Sequence, residues 1–293
     1  MKYAALYAWG AAVLEEAGVP EARLDARLLL EHVCHTALHD LYGHGDREVD
    51  GEDERAYRTL LAERKKRIPL QYLTGEQEFM GLCFSVNENV LIPRQDTELL
   101  AEEALKRLHD GMRILDVCTG SGCVLLSLLR YSNDCTGVGT DISAEALAVA
   151  EENLRRLFPE GAGEGEAPRA AKETPPARFI RTNLLEGVEG KFDLLVANPP
   201  YIPSGEIDTL QPEVREHEPR AALDGKEDGL FFYREILRQC PKNLYRGSRV
   251  LFEIGSTQGE AVGALLAQSG FREIGTVRDY AGLDRVVTGE WLP

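Results

Sequence analysis

Beyond residue 96 the chain alternates short apolar runs with longer amphipathic stretches, and few architectures accept that rhythm. The runs at 113–117, 136–140, 178–180, 192–197 and 249–253 have strand length, and two more strands are expected before the C-terminus. Between them, residues 97–108, 144–157, 229–239 and 258–269 repeat apolar side chains at helical spacing, and 124–129 begins another helix. Alternation of this kind predicts an α/β domain with a mostly parallel sheet and helices on both faces. Ligands of such sheets bind beyond the carboxyl ends of the strands.

The first part of the chain has a different character. Leu24, Leu28 and Leu29 recur with Ala22 and Ala26 at helical spacing after a break at Gly18-Val19-Pro20. A Gly- and Asp-rich break spans 43–51, and a helix over 53–67 should end before Pro69. Residues 1–70 therefore read as a small all-helical domain. The alternation and turn glycines of 71–92 read as a β-hairpin linker, leaving 93–293 as the α/β domain. Residues 158–176, dense in Gly, Ala, Glu and Pro, are expected to be a mobile surface loop.

Charge narrows the partners. The 33 basic and 49 acidic residues leave a net charge of −16, which gives no general attraction for a phosphate backbone and argues against direct nucleic-acid binding. The basic run Arg64-Lys65-Lys66-Arg67 reads as a solvated helix face. None of the six cysteines forms a CxxC pair or stands beside spaced histidines, so no metal site is expected. No secretory leader or apolar stretch of membrane-spanning length is visible, which points to a cytoplasmic protein.

The strand ending at Asp116 runs into Cys118-Thr119-Gly120-Ser121-Gly122, where glycines let the backbone approach a ligand. Alone this is a weak signal, shared by many nucleotide-binding folds and by bare structural turns. Asp141, ending the next strand, stands where a carboxylate can accept from both hydroxyls of a ribose, or can cap the following helix, a task Ser143 can also perform. A third glycine for a pyrophosphate is lacking, its position being Leu125, which weighs against a dinucleotide and favours S-adenosylmethionine, a cofactor without phosphate. Asn183 is placed to bond an adenine edge, or is an ordinary loop asparagine.

Asn198-Pro199-Pro200-Tyr201 follows the apolar run 192–197. An amide nitrogen is a poor nucleophile because its lone pair is delocalised. A site that accepts both of its N–H bonds can aim it at an electrophilic methyl. The Asn198 side-chain carbonyl and the Pro199 backbone carbonyl are two such acceptors, Tyr201 offers a flat face, and proline brings no competing N–H. Catalysis would then rest on positioning and desolvation, with no His or Lys base. The bland reading is an Asn-Pro turn with a packed tyrosine.

Asn198-Pro199-Pro200-Tyr201 behind such a nucleotide fold resembles the motif of amino-methyltransferases acting on adenine, cytosine and glutamine. Ile92-Pro93-Arg94-Gln95-Asp96-Thr97-Glu98, Tyr72-Leu73-Thr74-Gly75, Glu218-Pro219-Arg220-Ala221-Ala222-Leu223 and Gly282-Leu283-Asp284-Arg285-Val286-Val287 narrow the resemblance to the HemK-type glutamine methyltransferases, from near residue 20 to the end. That resemblance implies a Rossmann-like methyltransferase domain behind a helical substrate-docking domain. It implies S-adenosylmethionine as cofactor, with S-adenosylhomocysteine as product. It further implies methylation of the glutamine in the Gly-Gly-Gln loop of class 1 peptide chain release factors, by a monomer. By motif position Cys118, Thr119, Gly120, Ser121, Gly122, Asp141, Asn183, Leu184 and Asn198 would contact the cofactor, and Asn198, Pro199, Pro200 and Tyr201 the glutamine.

The chain departs from the family pattern at Cys118, where glycine is usual, at Asn183, where aspartate is usual, and at Leu184, where tryptophan is frequent. Around Arg94, Asp96 and Glu98 the expectation is a helix start, with Asp96 or Thr97 as cap and acids in the first turn; the alternative is a lip over the cofactor. Two other substrates fit the same motif, a ribosomal-protein glutamine and a nucleic-acid adenine, the latter disfavoured by the charge. A module that binds without catalysis is the remaining alternative.

Overall fold

The computed structural model describes residues 1–159 and 176–293, so most of the stretch expected to be a mobile loop lies outside the described residues. The described chain divides into two compact units, Met1–Glu76 with Gln211–His217, and Gln77–Leu210 with Glu218–Pro293.

The first unit is helical: α1 (Tyr3–Glu16), α2 (Ala22–Cys34), α3 (Leu38–Gly43), α4 (Gly51–Arg64) and α5 (Leu70–Thr74), joined by the helical turn Pro212–His217. Leu6, Leu14, Leu29, Leu30, Tyr57 and Leu61 form its core. The α1–α4 contact needs Gly10, because a Cβ there would stand 2.0 Å from the Tyr57 hydroxyl, which itself donates to the Ala26 carbonyl at 3.0 Å. Asp50 caps α4 by accepting from the Glu52 N–H at 2.7 Å.

The basic run at 64–67 is only half solvated. Lys65 and Lys66 are exposed, but Arg64 is buried, with Nε on Asp25 at 2.8 Å and Nη2 on Glu213 at 2.9 Å, and Arg67 also grips Glu213 at 2.6 Å. Burial works to raise the Glu213 carboxyl, yet Arg67 and Arg64 outweigh it and hold it at about 2. The partner lies almost 150 residues away in sequence, so local charge patterning had no means of showing it.

A second correction concerns the hairpin. Residues 70–74 form a helical turn that starts after Pro69 and ends at left-handed Gly75 (φ 76°), the start and stop pair that helices favour. The paired strands are confined to β1 (Glu76–Phe79) and β2 (Leu82–Ser85). Met80 and Gly81 between them both have positive φ, as a two-residue hairpin turn requires. Met80 is held there by Glu98, which accepts from its N–H at 2.6 Å, and by Tyr131, whose hydroxyl donates to its carbonyl at 2.6 Å.

The rest of the second unit is a seven-stranded sheet: β3 (Arg113–Val117), β4 (Thr136–Asp141), β5 (Ala177–Arg181), β6 (Phe192–Ala197), β7 (Leu244–Glu253), β8 (Phe271–Arg278) and β9 (Asp284–Trp291), in the order β5-β4-β3-β6-β7-β9-β8. The first five strands along that order are parallel, and β9 runs antiparallel to both neighbours. Alternate residues feed two cores. Leu115, Val117, Leu195 and Ala197 pack on one face, with helices Phe231–Gln239 and Gly259–Gln268. Ile114, Leu194, Val196 and Leu251 pack on the other, with α6 (Gln95–Leu105) and α7 (Cys123–Arg130). The α8 helix (Ala144–Leu157) carries buried Asn153, whose Oδ1 accepts from the Ser85 N–H at 2.7 Å and whose Nδ2 donates to the Ser85 and Ser121 carbonyls at 3.0 Å, tying the hairpin to the glycine loop. Among the described residues, no helix is long and apolar enough to cross a membrane.

The buried Arg64 pair yields a stability prediction. Asp25→Ala is expected to cost about 3 kcal/mol or more in urea unfolding, because it strips one carboxylate from a buried guanidinium. Joining Asp25→Leu with Arg64→Met should cost less than Asp25→Ala alone; an additive loss would contradict the charge-pairing account.

Candidate active site

The site is assembled where the strand order reverses. From β3 the sheet grows outward through β4 and β5 on one side and through β6 on the other. In open α/β sheets such a reversal opens a crevice at the strand ends. Val117 pairs with Ala197, so Cys118 and Asn198 leave adjacent parallel strands in step. Two motifs 80 residues apart are thereby brought side by side.

The glycine loop is folded by its own backbone. The Thr119 N–H donates to the Thr140 carbonyl at 2.9 Å and the Gly122 N–H to the Thr119 carbonyl at 2.8 Å. The Thr119 hydroxyl donates to Asp116 Oδ2 at 2.6 Å. Gly120 has φ 54° and faces open space, whereas a Cβ on Gly122 would press on Leu126 at 3.2 Å and Ala150 at 3.3 Å. Gly122 thus serves helix packing, while Gly120 leaves open space beside the loop. Cys118 holds φ 63°, so a side chain occupies a left-handed position that favours glycine. Leu184 does the same at φ 54°.

Asp141 is fixed by both oxygens. Oδ2 accepts from the Gly120 N–H and Oδ1 from the Ser143 N–H, each at 3.0 Å. The cap of α8 is Ser143, whose Oγ accepts from the Ala146 N–H at 3.0 Å. Burial raises the Asp141 carboxyl while the amides of Ser143, Gly120 and Ile142 pull it back. Asp116, 2% exposed, is pushed up to about 7 by burial, against the Thr119 and Leu125 hydrogen bonds and with the nearby Asp141 charge. Burial likewise raises the Cys118 thiol well above its ordinary value, so it is no ready nucleophile.

A cavity of about 540 Å³ joins the loop to the second motif. Cys118, Thr119, Gly120, Ser121, Asp141, Asn183, Leu184, Asn198 and Pro200 line it; Gly122, Pro199 and Tyr201 are not among its walls. Pro199 is buried, and the Tyr201 hydroxyl points to Glu253 Oε1 at 3.5 Å. The Tyr201 backbone is clamped: Gln258 Nε2 donates to its carbonyl at 3.0 Å, and a Cβ on Gly229 would lie 2.3 Å from that oxygen. Asn183 Nδ2 donates to Glu186 at 3.0 Å, which leaves its carbonyl as the end available to a donor.

Several wall residues escaped the sequence reading, chiefly Pro93, Thr97, Asp116 and the Phe231-Phe232 pair. The stretch 92–98 was read as a helix start capped by Asp96 or Thr97. Gln95–Leu105 is a helix with acids in its first turn, but Arg94 is the N-cap position and no side chain caps it. The polar groups are engaged elsewhere. Thr97 Oγ1 accepts from Asn198 Nδ2 at 3.2 Å, Asp96 pairs with Arg285 at 3.1 Å, and Arg94 pairs with Glu218, whose other oxygen accepts from the Ile92 N–H at 3.3 Å. The one available signal was the recurrence of charged residues in both motifs, Arg94 in one and Glu218 in the other.

The walls suit a phosphate-free, cationic cofactor. Glu88, Asp116 and Asp141 face the cavity against Lys226, the only lysine or arginine among the described lining residues. The buried Thr140 hydroxyl has no hydrogen-bond partner in the described structure. Fold and site together define a Rossmann-like methyltransferase, a class that uses S-adenosylmethionine.

Comparison with known proteins is specific. Residues 5–75 match the family model described as PrmC N-terminal domain, and 94–211 the one described as Methyltransferase small domain. The release factor glutamine methyltransferase of Geobacter sulfurreducens is 41% identical over 282 residues, 96% of this chain and 94% of that one. Its namesake from Caulobacter vibrioides is 38% identical over 287 residues, again 96% and 94%. A solved methyltransferase from Pyrococcus furiosus shares the fold, with a TM-score of 0.52 at 14% identity over 83% of this chain and 100% of that chain. The chain belongs to the release factor glutamine methyltransferase family.

Asp116 supplies a pH test. Its carboxyl titrates near 4 when unfolded and at about 7 when folded, so folding takes up a proton in that window and stability falls as pH rises through it. Asp116→Asn removes this dependence. Its stability relative to wild type should climb from pH 5 to pH 8 by roughly 3 kcal/mol, read from chemical unfolding at each pH. A pH-independent difference would show that the carboxyl is not raised.

Proposed function

We propose that this chain methylates the side-chain amide nitrogen of the glutamine in the Gly-Gly-Gln motif of class 1 peptide chain release factors, using S-adenosylmethionine. The observation that carries the reading is the β3–β6 register, which sets Cys118 and Asn198 on one cavity. Bound cofactor supplies an electrophilic sulfonium methyl. Asp141 would hold the ribose hydroxyls, Gly120 would give close backbone approach, and Asn183 and Leu184 would border the adenine.

The chain's own task is to present the amide. Asn198 Oδ1 accepts one N–H bond of the amide, and the Pro199 carbonyl, which does not line the cavity, would take the second as the substrate seats, so that the nitrogen lone pair points across the cavity. Pro200 forms the adjoining wall. Tyr201 holds the strand end through Gln258 and Glu253. With cofactor bound, the amide nitrogen so presented would take the methyl that the sulfonium supplies, leaving the thioether. The proton then shed by the amide nitrogen is acidic enough to pass to water, so no dedicated base is required.

In the same reading, residues 1–70 dock the release factor, 71–92 link, and 93–293 carry the chemistry. Support comes from an open cleft on the first unit, where Leu24 is 42% exposed and Tyr42 81% exposed. Exposed apolar side chains of this kind mark interaction surfaces.

The decisive experiment incubates a class 1 release factor with the protein and methyl-labelled cofactor, then maps the label by mass spectrometry. A single methyl on the Gly-Gly-Gln glutamine is expected, and label elsewhere overturns the substrate assignment. Asn198→Ala should lower turnover about a hundredfold or more while cofactor affinity stays within about threefold. Tyr42→Ala with Leu24→Ala should raise the KM for release factor and leave that for cofactor unchanged; equal rises in both would contradict docking by the first unit.

A further inference from the structure

The carboxamide of Asn198 has two ends of similar shape and opposite hydrogen-bonding sense. Amide presentation needs the carbonyl end toward the cavity. A carboxamide rotated by half a turn would offer NH2 to an incoming NH2 and would repel it. Something on the protein must therefore set the rotation.

One neighbouring hydroxyl holds that carboxamide. Asn198 Nδ2 donates to Thr97 Oγ1 at 3.2 Å. Thr97 is 3% exposed, and its hydroxyl has one hydrogen to give. Because Thr97 accepts from Nδ2, the Asn198 Oδ1 is left as the free end of the carboxamide. Glu253, 1% exposed, lies at the end of β7. Tyr201, in the same motif as Asn198, addresses Glu253, its hydroxyl 3.5 Å from Oε1.

We propose that Thr97 is a positioning residue that sets the rotation of the Asn198 carboxamide, so that the carbonyl oxygen faces the substrate amide. The inference rests on the release factor reading for its assay and on the hydrogen-bond directions for its content. It also gives the 92–98 segment a task beyond starting a helix: α6 delivers an acceptor to the strand end from which Asn198 leaves.

Thr97→Val keeps the shape and removes the acceptor; Thr97→Ser keeps the acceptor. With release factor as substrate and saturating cofactor, Thr97→Val is expected to lower kcat about 10- to 100-fold, with cofactor Kd within about twofold of wild type. Thr97→Ser should stay within about threefold of wild type. In an Asn198→Ala background, Thr97→Val should add no further loss, because the group it orients is gone. Wild-type turnover in Thr97→Val, equal damage from Thr97→Ser, or a loss that multiplies with that of Asn198→Ala would overturn the proposal. Nitrogen-edited NMR gives a readout free of any substrate: the Asn198 side-chain NH2 should exchange slowly in wild type and fast in Thr97→Val, and equal exchange would also overturn it. Wild-type protein inactive on release factor would count against the substrate reading alone, since the exchange comparison still decides the positioning role.

Discussion

The parallel pairing of β3 with β6 is the constraint on which the rest depends. Each strand ends in a motif that is chemically incomplete. In the proposed reading, the glycine loop offers backbone and a carboxylate without a nucleophile's seat, and Asn198 offers an acceptor without a methyl source. The Val117–Ala197 register puts the two strand ends level. Register in a sheet is quantised, and a slip of one residue would turn the side chains of a strand to the opposite face. The alternating burial of Ile114, Leu115, Leu194 and Leu195 in two separate cores therefore protects the geometry of the site.

Around that junction the protein buries carboxylates that stability alone would not favour. Asp116 and Glu253 are both pushed up to about 7, chiefly by burial. Their cost is offset locally, Asp116 by the Thr119 hydroxyl and Glu253 by the charge of Arg285 and by Tyr201. Buried polar networks of this kind specify orientation because each hydroxyl has one hydrogen to give. The same logic runs in the first unit, where Arg64 is satisfied by two carboxylates from distant parts of the chain.

Much of this was legible in the residues. Strand-helix alternation announced a parallel sheet covered on both faces. Gly120 and Asp141, singled out in the sequence, both line the cavity. Two local readings failed for different reasons. Residues 70–74 alternate like a strand, yet Pro69 and Gly75 bracket them as a helical turn. Asp96 and Thr97 look like caps, yet Arg285 and Asn198 claim their side chains. The first was decided by turn residues next to it in the chain, the second by partners far along it.

By itself the sequence determined the alternation of elements, the placing of chemistry-bearing residues at strand ends, and the family motifs, because side-chain period and turn chemistry are local properties. Only the tertiary structure decided that Thr97 faces Asn198, that Glu213 answers Arg64, that Cys118 and Leu184 hold left-handed backbone, and that Tyr201 turns toward Glu253. Each of those depends on groups brought together by strand order and packing. The free energy of such contacts arises only once the sheet has closed and water has left.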